Sequence, residues 1–274
     1  MHSIPELPIS VQDVQPKSRI RIRVAPLLAA GHASVPIAVI FYLFMAILTN
    51  YEGTTYTACT RLNVFPSLSA VARSQHSGWQ ITCCTNLPFS LLTSWFYSRY
   101  YRRSLPRKVR LFGCLLALLI VQTSCSFFLW GMYPNIAGES TLHRAVAISL
   151  FVSCAILMAG CFVLHKYYIC EGKESQQQLA YRLKCKLVVT YFTAVPIMWF
   201  CYFLHEHFCF PFGECGRWLH LLNLIGIFAA YSVFGLCEFV NICSTFLYLA
   251  TCYFDFYNVH ICHDQRLGFF LSEF

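Results

Sequence analysis

The sequence predicts an all-α, polytopic membrane protein with six transmembrane helices and both termini in the cytosol. Of its 274 residues, 57% are apolar and only 12% are charged, against about 25% charged in an ordinary soluble domain. The apolar residues fall into runs near the length of a bilayer crossing, about 20 residues. Sixteen of the 20 Lys and Arg residues fall in the segments that share one side under this reading, as the positive-inside rule requires.

Residues 1–24 form a polar, basic tail with Lys17, Arg19, Arg21 and Arg23. It has no apolar core, so no cleavable signal peptide is expected and the first span serves as the insertion signal. The membrane domain runs from 25 to 256. Its six segments are Ala25–Thr49, Trp79–Ser98, Leu111–Tyr133, Ala145–His165, Leu187–His207 and Trp218–Phe254. Pro36, Pro88 and Pro196 lie inside spans one, two and five, where neighbouring groups can satisfy the carbonyls they free. The last segment exceeds one crossing, and is expected to tilt, to kink near Gly226 or Gly235, or to emerge on the cytosolic side. Residues 257–274 complete the chain as a cytosolic tail.

Orientation follows from the remaining basic residues. Six lie between spans two and three, five between spans four and five (Lys184 among them), and Arg266 in the C-terminal tail; Arg61, Arg73, Arg144 and Arg217 are left for the opposite side. Because this distribution follows topology, the net charge of +8 does not argue for nucleic acid.

The loop 50–78 is then lumenal or extracellular. It holds the decapeptide RLNVFPSLSA, Arg61–Ala70, and the loop's length and few charges are not those of a plain connector. Ser67 and Ser69 stand there with His76 downstream. A serine nucleophile with a histidine base is one reading. A proline-set turn followed by a serine-capped helical turn is the other, and spacing favours the cap. Of the 16 cysteines, Cys59, Cys209 and Cys215 fall in lumenal segments, where an oxidising compartment permits bridging. A Cys59–Cys209 disulfide with Cys215 free is expected, and Cys209–Cys215 is the local alternative.

His205, Glu206 and His207 do not make a metal site. Residues two apart on a helix point about 200° apart, and no ligand pair of suitable spacing stands nearby. No metal or cofactor is expected. Glu238, an ionisable group inside a span, is a functional candidate by default; its other reading is a hydrogen-bonded post near Asn241 or Thr245. Asp255 reads as an interfacial cap at the end of the last helix. The sequence holds no nucleophile elbow, Walker loop, dinucleotide fingerprint or zinc-protease motif.

The RIRV before the first span, TTYTAC ending at Cys59, NVFPSLSA, YFLH at His205, Cys209, Glu238, and Asp255-Phe256 together resemble the post-GPI attachment to proteins factor 2 family. That family shares a superfamily with the damage-regulated autophagy modulators and the N-terminal part of fungal cell-wall remodelling proteins. The resemblance implies a Golgi or endoplasmic-reticulum membrane protein acting in fatty-acid exchange on GPI anchors, as an acyltransferase or as a partner of one. It implies membrane lipids, GPI-anchored proteins and other GPI-remodelling membrane proteins as partners. The matching positions are Cys59, Asn63, Pro66, Ser67, Ser69, His205, Cys209, Glu238 and Asp255. The match itself assigns no catalytic role to any of them; Asn63, Ser67, His205 and Glu238 are the catalytic candidates among them, and Asn63, Ser67 and Ser69 are candidates for binding the lipid headgroup. Thr85 and Phe89 flank Pro88 where the family usually shows histidine and arginine; Thr245 and Leu249 replace its asparagine and histidine. The alternatives to a remodelling factor are a non-enzymatic six-span regulator like the autophagy modulators and, third, a transporter coupled through Glu238.

Overall fold

A computed structural model describes residues 20–55, 64–132, 140–169, 175–208, 217–264 and 268–272. Helices dominate: α1 (Val24–Thr55), the short α2 (Leu68–Ser74), α3 (His76–Ser104), α4 (Arg107–Met132), α5 (Ser140–Leu164) running into a π-helical turn (His165–Ile169), α6 (Ser175–Phe208), α7 (Arg217–Ala250) and α8 (Cys252–Asp255). Beside them lies a small antiparallel sheet in the order β1 (Ile20–Arg23), β2 (His260–Asp264), β3 (Gly268–Ser272), with Ile20 opposite His263 and Ile261 opposite Leu271. The all-α expectation did not include it. Strand β1 joins α1 directly, and the Val24 amide donates to the Val259 carbonyl at 3.2 Å. Entry to the first helix and exit from the last therefore lie at one end of the bundle, here called the sheet end.

Among the described residues, five helical segments are long and apolar enough to cross a membrane: Val24–Thr55, Arg107–Met132, Thr141–Tyr168, Gln178–His205 and Ala230–Asp255. The chain is a multi-pass membrane protein. The second expected span falls within α3, which has 29 residues but is too polar to qualify by composition. A stripe of its polar residues faces inward. Thr82, Asn86, Ser90, Thr93 and Ser94 are buried, while Ile81, Leu91, Leu92 and Trp95 are exposed. Asn86 donates to the Gly31 carbonyl at 3.2 Å, Ser90 donates to Asn86 at 3.1 Å, and His32 Nε2 meets the Thr93 hydroxyl at 2.8 Å. Such hydrogen bonds join helices in lipid, where hydrophobic attraction between helices is absent.

Three expectations about the ends of helices change. α1 leaves helical backbone at Asn50 (φ −153°, ψ 55°), where the first span was expected to stop, and resumes for one more turn. α6 begins at Ser175, so Arg182, Lys184 and Lys186 lie on a helix rather than in a loop. α7 runs through Gly235 to Ala250 as one helix, and α8 follows after Thr251. The glycine at 235 serves a close approach instead of a kink: a Cβ there would sit 2.6 Å from the Pro66 carbonyl oxygen.

Candidate functional site

Opposite the sheet end, the segment Val64–Ser74 is folded onto the bundle. Pro66, Ser67 and Leu68 are buried, and Phe65 packs edge-on against Phe239 at 5.4 Å between ring centroids. α7 holds the segment's backbone. The Phe65 amide donates to Ser232 Oγ at 3.3 Å, and the Leu68 amide donates to Glu238 Oε2 at 2.8 Å. Glu238 is 4% exposed. Its carboxyl oxygen satisfies one of the amides that every helix start leaves without an intrahelical partner. Asn241 and Thr245, expected as its neighbours, make other bonds: Asn241 donates to Met198 Sδ, and Thr245 to the Asn241 carbonyl at 2.9 Å.

The two serines of PSLS have different surroundings. Ser67 is the N-cap of α2: its Oγ accepts from the Ala70 amide at 3.2 Å and from the Tyr231 hydroxyl at 3.1 Å. It is 2% exposed, so the capping reading holds for this residue. Ser69, partly exposed, turns instead toward α5, where its Oγ lies 3.0 Å from His143 Nε2. Trp130, from α4, donates its indole N–H to the same nitrogen at 3.2 Å. His76, the histidine that sequence placed near these serines, lies 2.9 Å from the side-chain nitrogen of Gln80. His205 packs its ring against Tyr231 with centroids 4.4 Å apart, one residue removed from the Ser67 cap. Asn63, Cys59, Cys209 and Cys215 lie outside the described residues.

Three of the four positions that depart from the family's pattern are built into packing. Phe89 lies directly against Gly31, whereas Thr85 is exposed and its hydroxyl donates only within α3, to the Thr82 carbonyl at 3.0 Å. Thr245 also reaches Met158 Sδ at 3.7 Å, and Leu249 is buried.

The sheet end carries a second polar centre that sequence reading missed. Asp255 Oδ2 accepts from Lys184 Nζ at 2.6 Å and from the Tyr97 hydroxyl at 2.5 Å, while Oδ1 meets His165 Nε2 at 3.1 Å. Lys184 Nζ also lies 3.0 Å from that histidine nitrogen. Lys184 is 1% exposed. Asp255 is thus a buried counter-ion that joins α3, the end of α5, α6 and α8, and not a cap at the interface. A periodic signal for Lys184 was present: Ala180, Lys184, Tyr191, Ala194 and Met198 are all buried and recur at the three-, four- and seven-residue spacings of one helix face.

Glu238 offers a prediction at the first centre. Glu238→Gln keeps an oxygen to accept from the Leu68 amide and is expected to retain most of the stability. Glu238→Leu leaves that buried amide without its acceptor, at a cost of about 1–3 kcal/mol. Thermal unfolding of the two detergent-purified variants checks this, and equal melting temperatures would remove the supporting role.

The chain matches known proteins over nearly its whole length. It is 23% identical over 256 residues to a protein of Drosophila pseudoobscura pseudoobscura named "Post-GPI attachment to proteins factor 2", covering 90% of this chain and 91% of that one. It is 25% identical over 255 residues to the protein of the same name from Drosophila melanogaster, again covering 90% and 91%. No solved structure matches it. Residues 24–259, from the first residue of α1 to the turn before β2, match the Frag1/DRAM/Sfk1/Cwh43P N-terminal domain, and the chain belongs to that family.

Proposed function

We propose that this protein is a GPI-anchor lipid-remodelling factor acting in fatty-acid exchange (reacylation) of GPI-anchored proteins, in the Golgi or endoplasmic-reticulum membrane. The observation that carries the reading is the build of Val64–Ser74. In a chain related to proteins named for post-GPI attachment, this segment is locked onto α7 through Ser232 and Glu238, leaving Ser69 partly exposed. A membrane lipid with its polar part at that end and its chains among the exposed apolar side chains fits the arrangement. GPI-anchored proteins, membrane lipids and other remodelling proteins are its proposed partners, and Asn63 is proposed as a further headgroup contact.

The proposed topology has six crossings with both termini cytosolic. Its support is α3, which buries a polar stripe and exposes Ile81, Leu91, Leu92 and Trp95, together with the sheet that pairs β1, just before the first helix, with β2, just after the last. An even number of crossings is needed for that. Tags on either terminus are expected to be digested by protease added to sealed microsomes, and a tag in the loop near Val64 to be protected. Protection of the C-terminal tag would overturn the six-crossing arrangement.

The remodelling reading is tested by mass spectrometry of anchor lipids after loss of the gene. Anchors with an unsaturated or missing second chain, or fewer GPI-anchored proteins at the surface, are expected. A second reading, a non-enzymatic membrane regulator, draws on Phe89 and Leu249: both fill space in the bundle where the family pattern carries ionisable groups. Unchanged anchors with a purely lysosomal phenotype would favour it.

A further inference from the structure

We propose that Ser69 and His143 form a nucleophile–base pair that accepts an acyl group and passes it to a lipid hydroxyl. The proposal rests on the remodelling reading for its substrate class, and on three bonds for its chemistry. An indole N–H can only donate. Because Trp130 directs its N–H at His143 Nε2, 3.2 Å away, that nitrogen carries a lone pair and the ring proton sits on Nδ1. The Ser69 hydroxyl, 3.0 Å from the same atom, must then donate into it. A general base needs this orientation to take a proton from a nucleophilic oxygen.

Ser67 cannot fill that role. Its Oγ accepts two hydrogen bonds, is buried, and has no histidine within the bonds it makes. Nor is the Ser69–His143 bond needed to hold α2, whose start is already fixed by the Ser67 cap and by Glu238. Ser69 is partly exposed while His143 is 5% exposed, so a substrate can reach the nucleophile while the base stays largely shielded from water.

The reaction balances without a redox partner. Ser69 Oγ bonds to the carbonyl carbon of an acyl ester or thioester, and its proton passes to the lone pair of His143 Nε2, which gives up its bond from Trp130 while it holds that proton. The bond from the carbonyl carbon to the donor's oxygen or sulfur breaks, and the departing group leaves with that proton. In the second half, a lyso-lipid hydroxyl gives its proton to Nε2 and attacks the acyl-serine. The new ester forms, and Ser69 recovers its hydrogen.

The test uses the full chain in nanodiscs. One arm supplies phosphatidylcholine with a tagged acyl chain, the other tagged acyl-CoA, each with and without lysophosphatidylinositol. Without acceptor, tag is expected on the peptide carrying Ser69; with acceptor, it is expected on the lipid, and the productive arm identifies the donor class. Ser69→Ala and His143→Gln are each expected to lower transfer by a factor of about 100 or more. His143→Gln is the sharper variant, because a Gln oxygen can accept from both Trp130 and Ser69 but cannot serve as the base; a merely structural histidine would be replaced without loss. Ser69→Cys is expected to give a hydroxylamine-sensitive thioester adduct. No tag in either arm from the wild-type protein, or full transfer by His143→Gln, would overturn the pair. In knockout cells, restoration of normal anchor lipids by Ser69→Ala would sink the pair and leave the remodelling reading intact. Anchors unchanged by the knockout itself would remove that reading.

Discussion

Lys184→Met is expected to leave little folded protein in the membrane. The substitution keeps the length of the side chain and removes the cation that Asp255 Oδ2 meets at 2.6 Å. Asp255 is 4% exposed in its side chain, so no water replaces the lost partner. Removing one member of a buried pair costs about 3–5 kcal/mol, because the remaining charge stays desolvated. Lys186, two residues on and exposed, is the control: Lys186→Met should change stability by about 0.5 kcal/mol or less. Size-exclusion profiles and melting curves of fluorescent fusions compare the two at equal expression. Equal profiles would mean that the Lys184–Asp255 pair does not hold the sheet end together. Tyr97 and His165 bond to the same carboxylate, so Asp255→Leu should do comparable harm by removing the acceptor from both.

Gly235→Val should detach the Pro66–Ser67 turn from α7. A Cβ at 235 would stand 2.6 Å from the Pro66 carbonyl oxygen, 3.0 Å from its carbon and 3.2 Å from the Ser67 Cα. These are backbone atoms, which cannot rotate out of the way. Overpacking of this kind costs about 1–3 kcal/mol, and the displaced turn also loses the Leu68–Glu238 bond one helical turn along. Gly160 provides the contrast. The three atoms nearest to a Cβ there all belong to the Leu116 side chain, at 2.5 Å at its tip, and a leucine can change rotamer. Gly160→Ala should therefore be milder in melting temperature. Gly235→Val should in addition lose rescue of anchor lipids in knockout cells, since Ser69 rides on the displaced segment. Equal behaviour of the two variants would argue that the turn is not seated on α7.

How far the sequence reached can be judged from particular residues. Composition and run length determined a multi-pass helical membrane protein, because a chain with few charges and apolar runs near bilayer length has no soluble way to cover them. Local chemistry favoured a serine-capped helical turn after Pro66, because a cap depends on residues only two or three apart in the chain; the structure assigned the cap to Ser67. Local chemistry also marked Glu238 as unusual, since a carboxyl within a span demands a partner. The partner itself was beyond reach. Leu68 is 170 residues away from it, and the bond goes to a backbone amide, which has no signature of its own.

The same limit hid both polar centres. Ser69 and His143 are 74 residues apart, and Lys184 and Asp255 are 71 apart; only the tertiary fold, which seats α2 on α1 and α7 and packs α6 on α8, brings each pair within hydrogen-bond distance. Lys184 was counted as a loop charge because lysine usually marks a segment's exposed end, although its place on the buried stripe of α6 spoke for the interior. The β-sheet escaped notice for a related reason. β1 and β2 are separated by the whole membrane domain, and each is too short to be recognised without the other. Residue type and local period determined where the chain meets lipid and where it turns, since those depend on neighbours in sequence. Which polar groups meet inside the bundle was decided by tertiary structure alone, because a buried hydrogen bond or ion pair is selected by the geometry of helices that the sequence leaves far apart.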